Sequence, residues 1–387
     1  MSLLKDISPS TISAGFVAVL VGFASSVAIV FQAANSAGAN EQQVVSWIFA
    51  LGIGMGVTCI GLSWYYRAPV ITAWSTPGAA LLATSLDGLT YAEAIGVFIF
   101  TGALIFITGI SGLFGRFMAI IPTSIASAML VGVLVPFGYG VFTPFAEAPW
   151  VIGLMLVSYL LAKLWLPRYA VILVLVVAII CAFYQVGESV QLNFSMSTML
   201  WQTPDWNIGA LIGVGIPLFI VTMSSQNIPG VAVLKAEGYQ TPISPLISTT
   251  GLVNMVMAPF GGFAFNLAAI TAAICAGKES HEDKNKRYVA GIFAGIFYLI
   301  AGVFGATLVA LFFVIPSYIV AALAGIALFT TIANNLHVAM ADVSQREAAL
   351  LTFLVTASGV SFMGVASAFW GILVGLTTYY LFAKRAV

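Results

Sequence analysis

Two stretches decide how this chain reads: APVITAWSTPGAALL at residues 68–82 and APFGGFAFNLAAITAAI at residues 258–274. Each opens on Ala-Pro, passes through residues that favour extended backbone or a turn, and ends in a short Ala-rich run. The pattern predicts an extended stretch followed by a half-length helix. Ser75 and Thr76 in the first, and Asn266 in the second, stand where N-caps are expected. A helix broken this way leaves free N–H groups and the positive end of its dipole at its start, which suits an anion. An ordinary Pro-kinked helix is the competing reading.

The two stretches belong to a wider self-similarity. Ala68-Pro69 recurs as Ala258-Pro259 at an offset of 190. Phe100, Gly102, Gly109 and Gly112 recur as Phe293, Gly295, Gly302 and Gly305 at an offset of 193, and Ile121-Pro122 recurs as Ile315-Pro316 at 194. Small residues do recur wherever helices pack closely. Three separate regions in register at nearly one shift point instead to a duplicated unit, with residues 1–190 as the first repeat and 191–387 as the second.

Around these stretches the chain is almost without charge. It has 13 basic and 13 acidic residues among 387, or 7% charged, with 61% hydrophobic residues and a mean hydropathy of +1.08. A soluble domain carries about 25% charged residues to cover its outside, so the apolar surface of this chain must face lipid. The formal net charge of zero gives no electrostatic footprint for nucleic acid. Cys59, Cys181 and Cys275 lie far apart in apolar runs and read as small buried hydrophobes, with no disulfide or metal spacing. The run from Thr11 to Phe31 is long enough for a full span and is preceded by Lys5 neutralised by Asp6, so it reads as a first span and not a signal peptide.

Spans are counted best from the basic residues. These fall at Lys5, Arg67, Arg116, Lys163 with Arg168, Lys235, the cluster from Lys278 to Arg287, Arg346, and Lys384 with Arg385. Each gap between successive sites holds enough apolar sequence for two crossings, so 14 spans place every basic group on the cytoplasmic face, with both termini inside. Glu41, Asp87, Glu93, Glu147, Glu188 and Asp205 then fall outside. Seven spans per repeat is an odd number, so the halves are inverted. That architecture is common in secondary transporters, with substrate held near the midplane at interrupted helices.

A second polar knot, TMSSQNIPGVAVL at 222–234, interrupts an apolar run, and Ser224, Ser225, Gln226 and Asn227 are costly there unless they meet partners. Its loose counterpart is FQAANSAG at 31–38. For Gln32 a ligand role, a packing hydrogen bond and a loop position all stay open. No charged residue reads as lying deep in the membrane. His337, the histidine near a span, is the candidate for proton coupling, although its position reads more readily as a helix-end histidine near the cytoplasmic face. His281 belongs to the charged loop.

At these residues, SQNIPGVAVL at 225–234 and the 258–274 stretch, the chain resembles the benzoate:proton symporter (BenE) family over essentially its whole length. That family is similar in fold to the uracil, xanthine and sulfate permeases. The resemblance implies an all-α polytopic membrane protein with 14 spans as 7+7 inverted repeats. Spans 1–4 and 8–11 form a core domain, and spans 5–7 and 12–14 a gate. Spans 3 and 10 are broken into short strands and half-helices. Carried over by residue, it places Ser75, Thr76, Phe265 and Asn266 at the crossing, with Gln226 and Asn227 on span eight; Gly262, Ser225 and Gln32 complete the candidate site. Amides stand where nucleobase carriers have acids, which fits an aromatic carboxylate, and Trp74, Phe263 or Phe265 are candidates to stack on its ring. The implied function is proton-coupled uptake of benzoate or a relative across a bacterial inner membrane, with no cofactor or metal. A homodimer is the candidate assembly. Another solute of the same fold, a nucleobase or inorganic anion, is the alternative. A channel would want a charged pore lining, and an enzyme would want a nucleophile–base pair at depth.

Overall fold

The computed structural model describes residues 5–114, 121–166, 169–186, 196–360, 362 and 365–383. Arg116, Arg168, Glu188, Lys384 and Arg385, and the boundary at 190, lie outside the described residues.

Among the described residues the regular structure is helical apart from one small pairing of strands and an isolated bridge between Phe362 and Val365. In order, α1 is Pro9–Ser36, α2 Glu41–Tyr66, β1 Thr72–Trp74, α3 Thr76–Ser85, α4 Tyr91–Ile110, α5 Thr123–Gly140, α6 Pro149–Trp165 and α7 Ala170–Val186. Next comes α8, a continuous helical run over Ile208–Ala236, then α9 Ile243–Met257, β2 Phe265–Leu267 and α10 Ile270–Ala276. The chain closes with α11 Tyr288–Val303, α12 Gly305–Val314, α13 Ser317–Ala341, α14 Arg346–Ala357 and α15 Ser367–Ala383. Among the described residues, seven helices are long and apolar enough to cross a membrane, or eight with α1, which bends by 43° between Phe23 and Ser26. The Ser26 hydroxyl donates to the Gly22 carbonyl at 2.8 Å beside that bend, a bond that loosens the helix ladder locally. Three further apolar helices are shorter, at Pro149–Trp165, Ala170–Tyr184 and Ser367–Phe382.

Local chemistry starts the first helices. Ser8 with Thr11, Asn40 with Gln43, and Thr90 with Glu93 form reciprocal capping boxes that satisfy the first N–H groups of α1, α2 and α4.

Packing in the first layer is glycine-mediated, because apolar helices in lipid gain most from close backbone approach. A Cβ on Gly52 of α2 would lie 2.5 Å from Gly302 Cα on α11, and one on Gly295 would lie 2.7 Å from the Gly56 carbonyl. The mirrored arrangement joins α4 to α9: Cβ atoms on Gly109 and Gly251 would lie 2.4 Å from the backbone nitrogens of Ser248 and Phe106. Trp47, Phe98, Phe263 and Phe265 are fully buried within this group of helices. Large apolar side chains such as Trp150, Leu164, Trp165 and Tyr184 are exposed on the outside, as a lipid-facing surface requires.

Two charged groups are more enclosed than the sequence suggests. Arg287, read as part of a charged loop, is 4% exposed. Its guanidinium donates to the carbonyls of Ala276 and His281, both at 2.7 Å, and lies 3.4 Å from Glu237 Oε2. It closes the end of α10, where helix carbonyls lack intrahelical partners. Asp6 is buried, accepts from the Tyr288 hydroxyl at 2.8 Å and lies 3.9 Å from the Arg67 guanidinium, fastening the starts of α1 and α11 to the end of α2.

Candidate functional site

The site is built where β1 and β2 cross. They pair antiparallel, with Thr72 opposite Leu267, Ala73 opposite Asn266 and Trp74 opposite Phe265. Strands of three residues cannot stand alone in an apolar interior, so neighbouring side chains complete their hydrogen bonding. Along α2, Ser63 bonds both backbone groups of Val70, and Cys59 Sγ accepts from the Thr72 N–H at 3.2 Å. From α9, Asn254 Oδ1 accepts from the Phe265 N–H at 3.2 Å while its amide donates to the Phe98 carbonyl at 2.6 Å. From α8, Asn227 Oδ1 accepts from the Leu267 N–H at 2.8 Å. Ser75 caps α3, its hydroxyl accepting from the Gly78 N–H at 2.9 Å.

Directly beside the crossing is a cavity of about 820 Å³. One wall comes from the crossing and its neighbours: Ser26, Trp74, Thr76, Gln226 and Thr271. The opposite wall comes from α6 and α13: Tyr159, Lys163, Thr330, Thr331 and Asn334. The deep end is at buried Trp74 and Tyr298, and the open end is at exposed Lys163, Lys278 and Glu279. Three polar groups of the first wall have no protein partner among the described residues. Thr271 Oγ1 is buried and unbonded, and neither the half-buried Thr76 hydroxyl nor the half-buried Gln226 amide makes a hydrogen bond. Unpartnered polar groups of this kind are costly in an apolar interior unless water or a ligand meets them. Trp74 presents an apolar ring beside them and is held by its indole N–H, which donates to Ser26 Oγ at 2.8 Å.

Of the candidate residues, Thr76, Gln226 and the stacking candidate Trp74 line this cavity. The others do not. Ser75 and Asn227 are buried and spent on the bonds just given. Ser225 turns back on its own helix, donating to the Val221 carbonyl at 2.6 Å. Asn266 is fully buried at the crossing, its amide on the Ala264 carbonyl at 2.9 Å and its Oδ1 unbonded. Phe263 packs on Trp47 and Phe98 at ring distances of 5.4 and 5.6 Å, and Phe265 lies against Gly54, so neither ring reaches the cavity. Gly262 sits against Met257. The glycine this turn requires is its neighbour Gly261, with φ of +94° and the Trp47 ring where a Cβ would be. Gln32 lines a second cavity of about 550 Å³ with Asn35, Ser36 and Thr84, at the far end of α3. His337 is exposed on α13 and lines neither cavity.

The polar knot of α8 takes a specific form. Helix α8 contains two π-helical turns, Leu211–Gly215 and Met223–Asn227. Such turns insert an extra residue and re-aim side chains, and they recur at functional sites. The second one sends Gln226 to the cavity and Asn227 to β2 from adjacent positions. The signals missed in the sequence lie on the opposite wall, where Tyr159 and Lys163 share a helix face at i, i+4 spacing.

Comparison with known proteins shows the family. A family model described as "Benzoate membrane transport protein" matches residues 5–381. The chain belongs to the BenE family. It is 48% identical to the inner membrane protein YdcO of Escherichia coli (strain K12), over 97% of this chain and 96% of that protein. It is 40% identical to the benzoate membrane transport protein of Acinetobacter baylyi (strain ATCC 33305 / BD413 / ADP1), over 99% and 98%. In fold, this BenE chain is similar to the transmembrane domain of the cyanobacterial bicarbonate transporter BicA, with a TM-score of 0.57 and 15% identity over 97% of both chains. It is also similar to SLC26A9, with a TM-score of 0.63 and 13% identity over 98% of this chain and 66% of that one. As a BenE protein it is a membrane transporter and not an enzyme.

Proposed function

We propose that this chain carries benzoate or a closely related aromatic carboxylate across the bacterial inner membrane together with protons, by alternating access. The observation that carries the reading is the cavity beside the strand crossing, where unpartnered Thr76, Gln226 and Thr271 surround the ring of Trp74. Hydroxyls and an amide suit a carboxylate, and the indole face suits an aromatic ring. The start of α3 adds the positive end of a ten-residue helix. The 40% identical relative from Acinetobacter baylyi, a benzoate membrane transport protein, supports the same substrate. Proton coupling comes from the family resemblance.

The architecture that supports this reading is 14 crossings in two inverted halves. We count the seven long apolar helices, bent α1, the shorter α6, α7, α14 and α15, and the two strand-and-half-helix units β1–α3 and β2–α10 as those crossings. The packing of α2 on α11 and of α4 on α9 supports this reading, since the recurring glycines Gly109 of α4 and Gly302 of α11 each meet backbone of the facing helix. In this arrangement the strands and their supporting helices form the core, and α5–α7 with α13–α15 form the gate. We read the larger cavity as opening to the cytoplasm, because Lys163 and Lys278 line its exposed end and the positive-inside rule favours that side for basic residues.

The test is uptake of labelled benzoate into proteoliposomes of the purified protein, with and without an imposed pH gradient, and with uracil and sulfate as competitors. Saturable uptake that is driven by external acid and resists both competitors is expected. Uptake indifferent to the gradient would remove the coupling, and displacement by sulfate or uracil in preference to benzoate would replace the substrate.

A further inference from the structure

The polar wall opposite the strand crossing is the part of the cavity with no assigned role. Lys163, in the last turn of α6, directs its Nζ across to α13, where it donates to Thr330 Oγ1 at 3.1 Å. The hydroxyl of Tyr159, one turn earlier on the same face, is 3.4 Å from that oxygen. The three groups form one cluster joining α6 to α13, and all three line the cavity. No Asp or Glu pairs with Lys163 among the described residues. The other charges lining the cavity, Lys278 and Glu279, are chain neighbours of opposite sign on the crossing side. Among the described residues, the formal charge that α6 and α13 bring to the cavity is therefore the ammonium of Lys163.

A basic residue ending a membrane helix has an ordinary explanation, in which it reaches for the aqueous face. Two observations go beyond it. The neighbours Leu160, Leu161, Leu164 and Trp165 are exposed on the outer faces of α6 while Lys163 lines the cavity. Its ammonium also engages a hydroxyl of another helix, which leaves further N–H donors for an anion entering the cavity.

We propose that Lys163, positioned by Thr330 and Tyr159, is the carboxylate-recognising cation of the transport site, supplied by the wall opposite the strand crossing. This rests on the substrate reading above. The crossing then binds the ring and part of the carboxylate, while Lys163 selects a charged substrate over a neutral one. Because the two walls belong to different groups of helices, this charge meets the substrate only when they close around it.

The experiment measures equilibrium binding of benzoate and of its neutral isostere benzamide to the purified full-length protein. It compares the wild type with Lys163→Gln and Lys163→Arg at low and high salt. Lys163→Gln is expected to weaken benzoate binding by about three- to tenfold, the size of a partly hydrated charge-assisted contact. Benzamide affinity should be unchanged, Lys163→Arg should stay near wild type, and salt should weaken wild-type binding more than that of the Gln variant. Equal benzoate affinity in wild type and Lys163→Gln would overturn the proposal. So would loss of both ligands in the same ratio, which marks a structural effect. A wild type that binds sulfate and not benzoate would instead overturn the substrate reading, and the same variants then test Lys163 on sulfate.

Discussion

Asn227 Oδ1 accepts the backbone N–H of Leu267 at 2.8 Å, so a side chain from a π-helical turn holds one strand of the crossing in place. Its neighbour Gln226 lines the cavity, and its side chain makes no hydrogen bond among the described residues. Two adjacent amides of one motif thus have separable roles.

That separation sets the first expectation. Asn227→Ala leaves the Leu267 N–H unsatisfied in a dry interior and should cost about 1–3 kcal/mol of stability, read as a lower Tm in detergent. Gln226→Ala should leave Tm in place and weaken benzoate binding by about 1 kcal/mol, or roughly fivefold. Equal losses of Tm in the two variants would show that the roles are not separate.

Of the three rings suggested to stack on the substrate, Trp74 lines the cavity, whereas Phe263 packs on Trp47 and Phe98 and Phe265 lies against Gly54. Trp74→Ala should lower benzoate affinity by about 1–2 kcal/mol, and Trp74→Phe should recover most of it because a ring face remains. Ser26→Ala removes the indole's hydrogen-bond partner and controls for orientation. Full affinity in Trp74→Ala, measured by isothermal titration, would place the ring elsewhere.

Helix contacts through glycine predict opposite effects at two positions of α2. A Cβ on Gly52 would press on Gly302 Cα at 2.5 Å, while one on Gly61 would meet nothing within 4 Å. Gly52→Ala should destabilise by about 1–3 kcal/mol through overpacking. Gly61→Ala should stabilise by about 0.5–1 kcal/mol, because Ala is the better helix former. Thermal melts of the two variants side by side check the signs, and a Gly52→Ala protein as stable as wild type would mean that α2 and α11 do not approach this closely.

Much of the framework was legible because membrane chemistry writes itself into composition. The scarcity of charge, the Ala-Pro stretches and the glycine register announced helices in lipid and two short interrupted elements, and β1–α3 and β2–α10 stand at those positions. The candidate site was legible as a neighbourhood and less so as a list. Asn266 lies in the strand pairing, Ser75 beside it and Asn227 on α8, yet all three are buried in the backbone's own hydrogen bonding. A polar residue in an apolar run must find a partner, and sequence does not say whether that partner is a ligand or a neighbouring strand. The cluster of Tyr159, Lys163 and Thr330 was hidden for a different reason: a span-end lysine is what orientation alone would place there.

The sequence by itself determined that this chain lives in a bilayer, where its polar interruptions fall, and which family it resembles, because these depend on composition and local order. Only the tertiary structure decided which polar groups remain unpartnered around the cavity and which rings face it. It also brought a cation from α6 opposite the strand crossing. Those outcomes follow from packing between segments far apart in the chain: Asn227 meets Leu267 across 40 residues, and Lys163 meets Thr330 across 167. Such contacts are set by the balance of close packing and hydrogen-bond satisfaction over the whole fold.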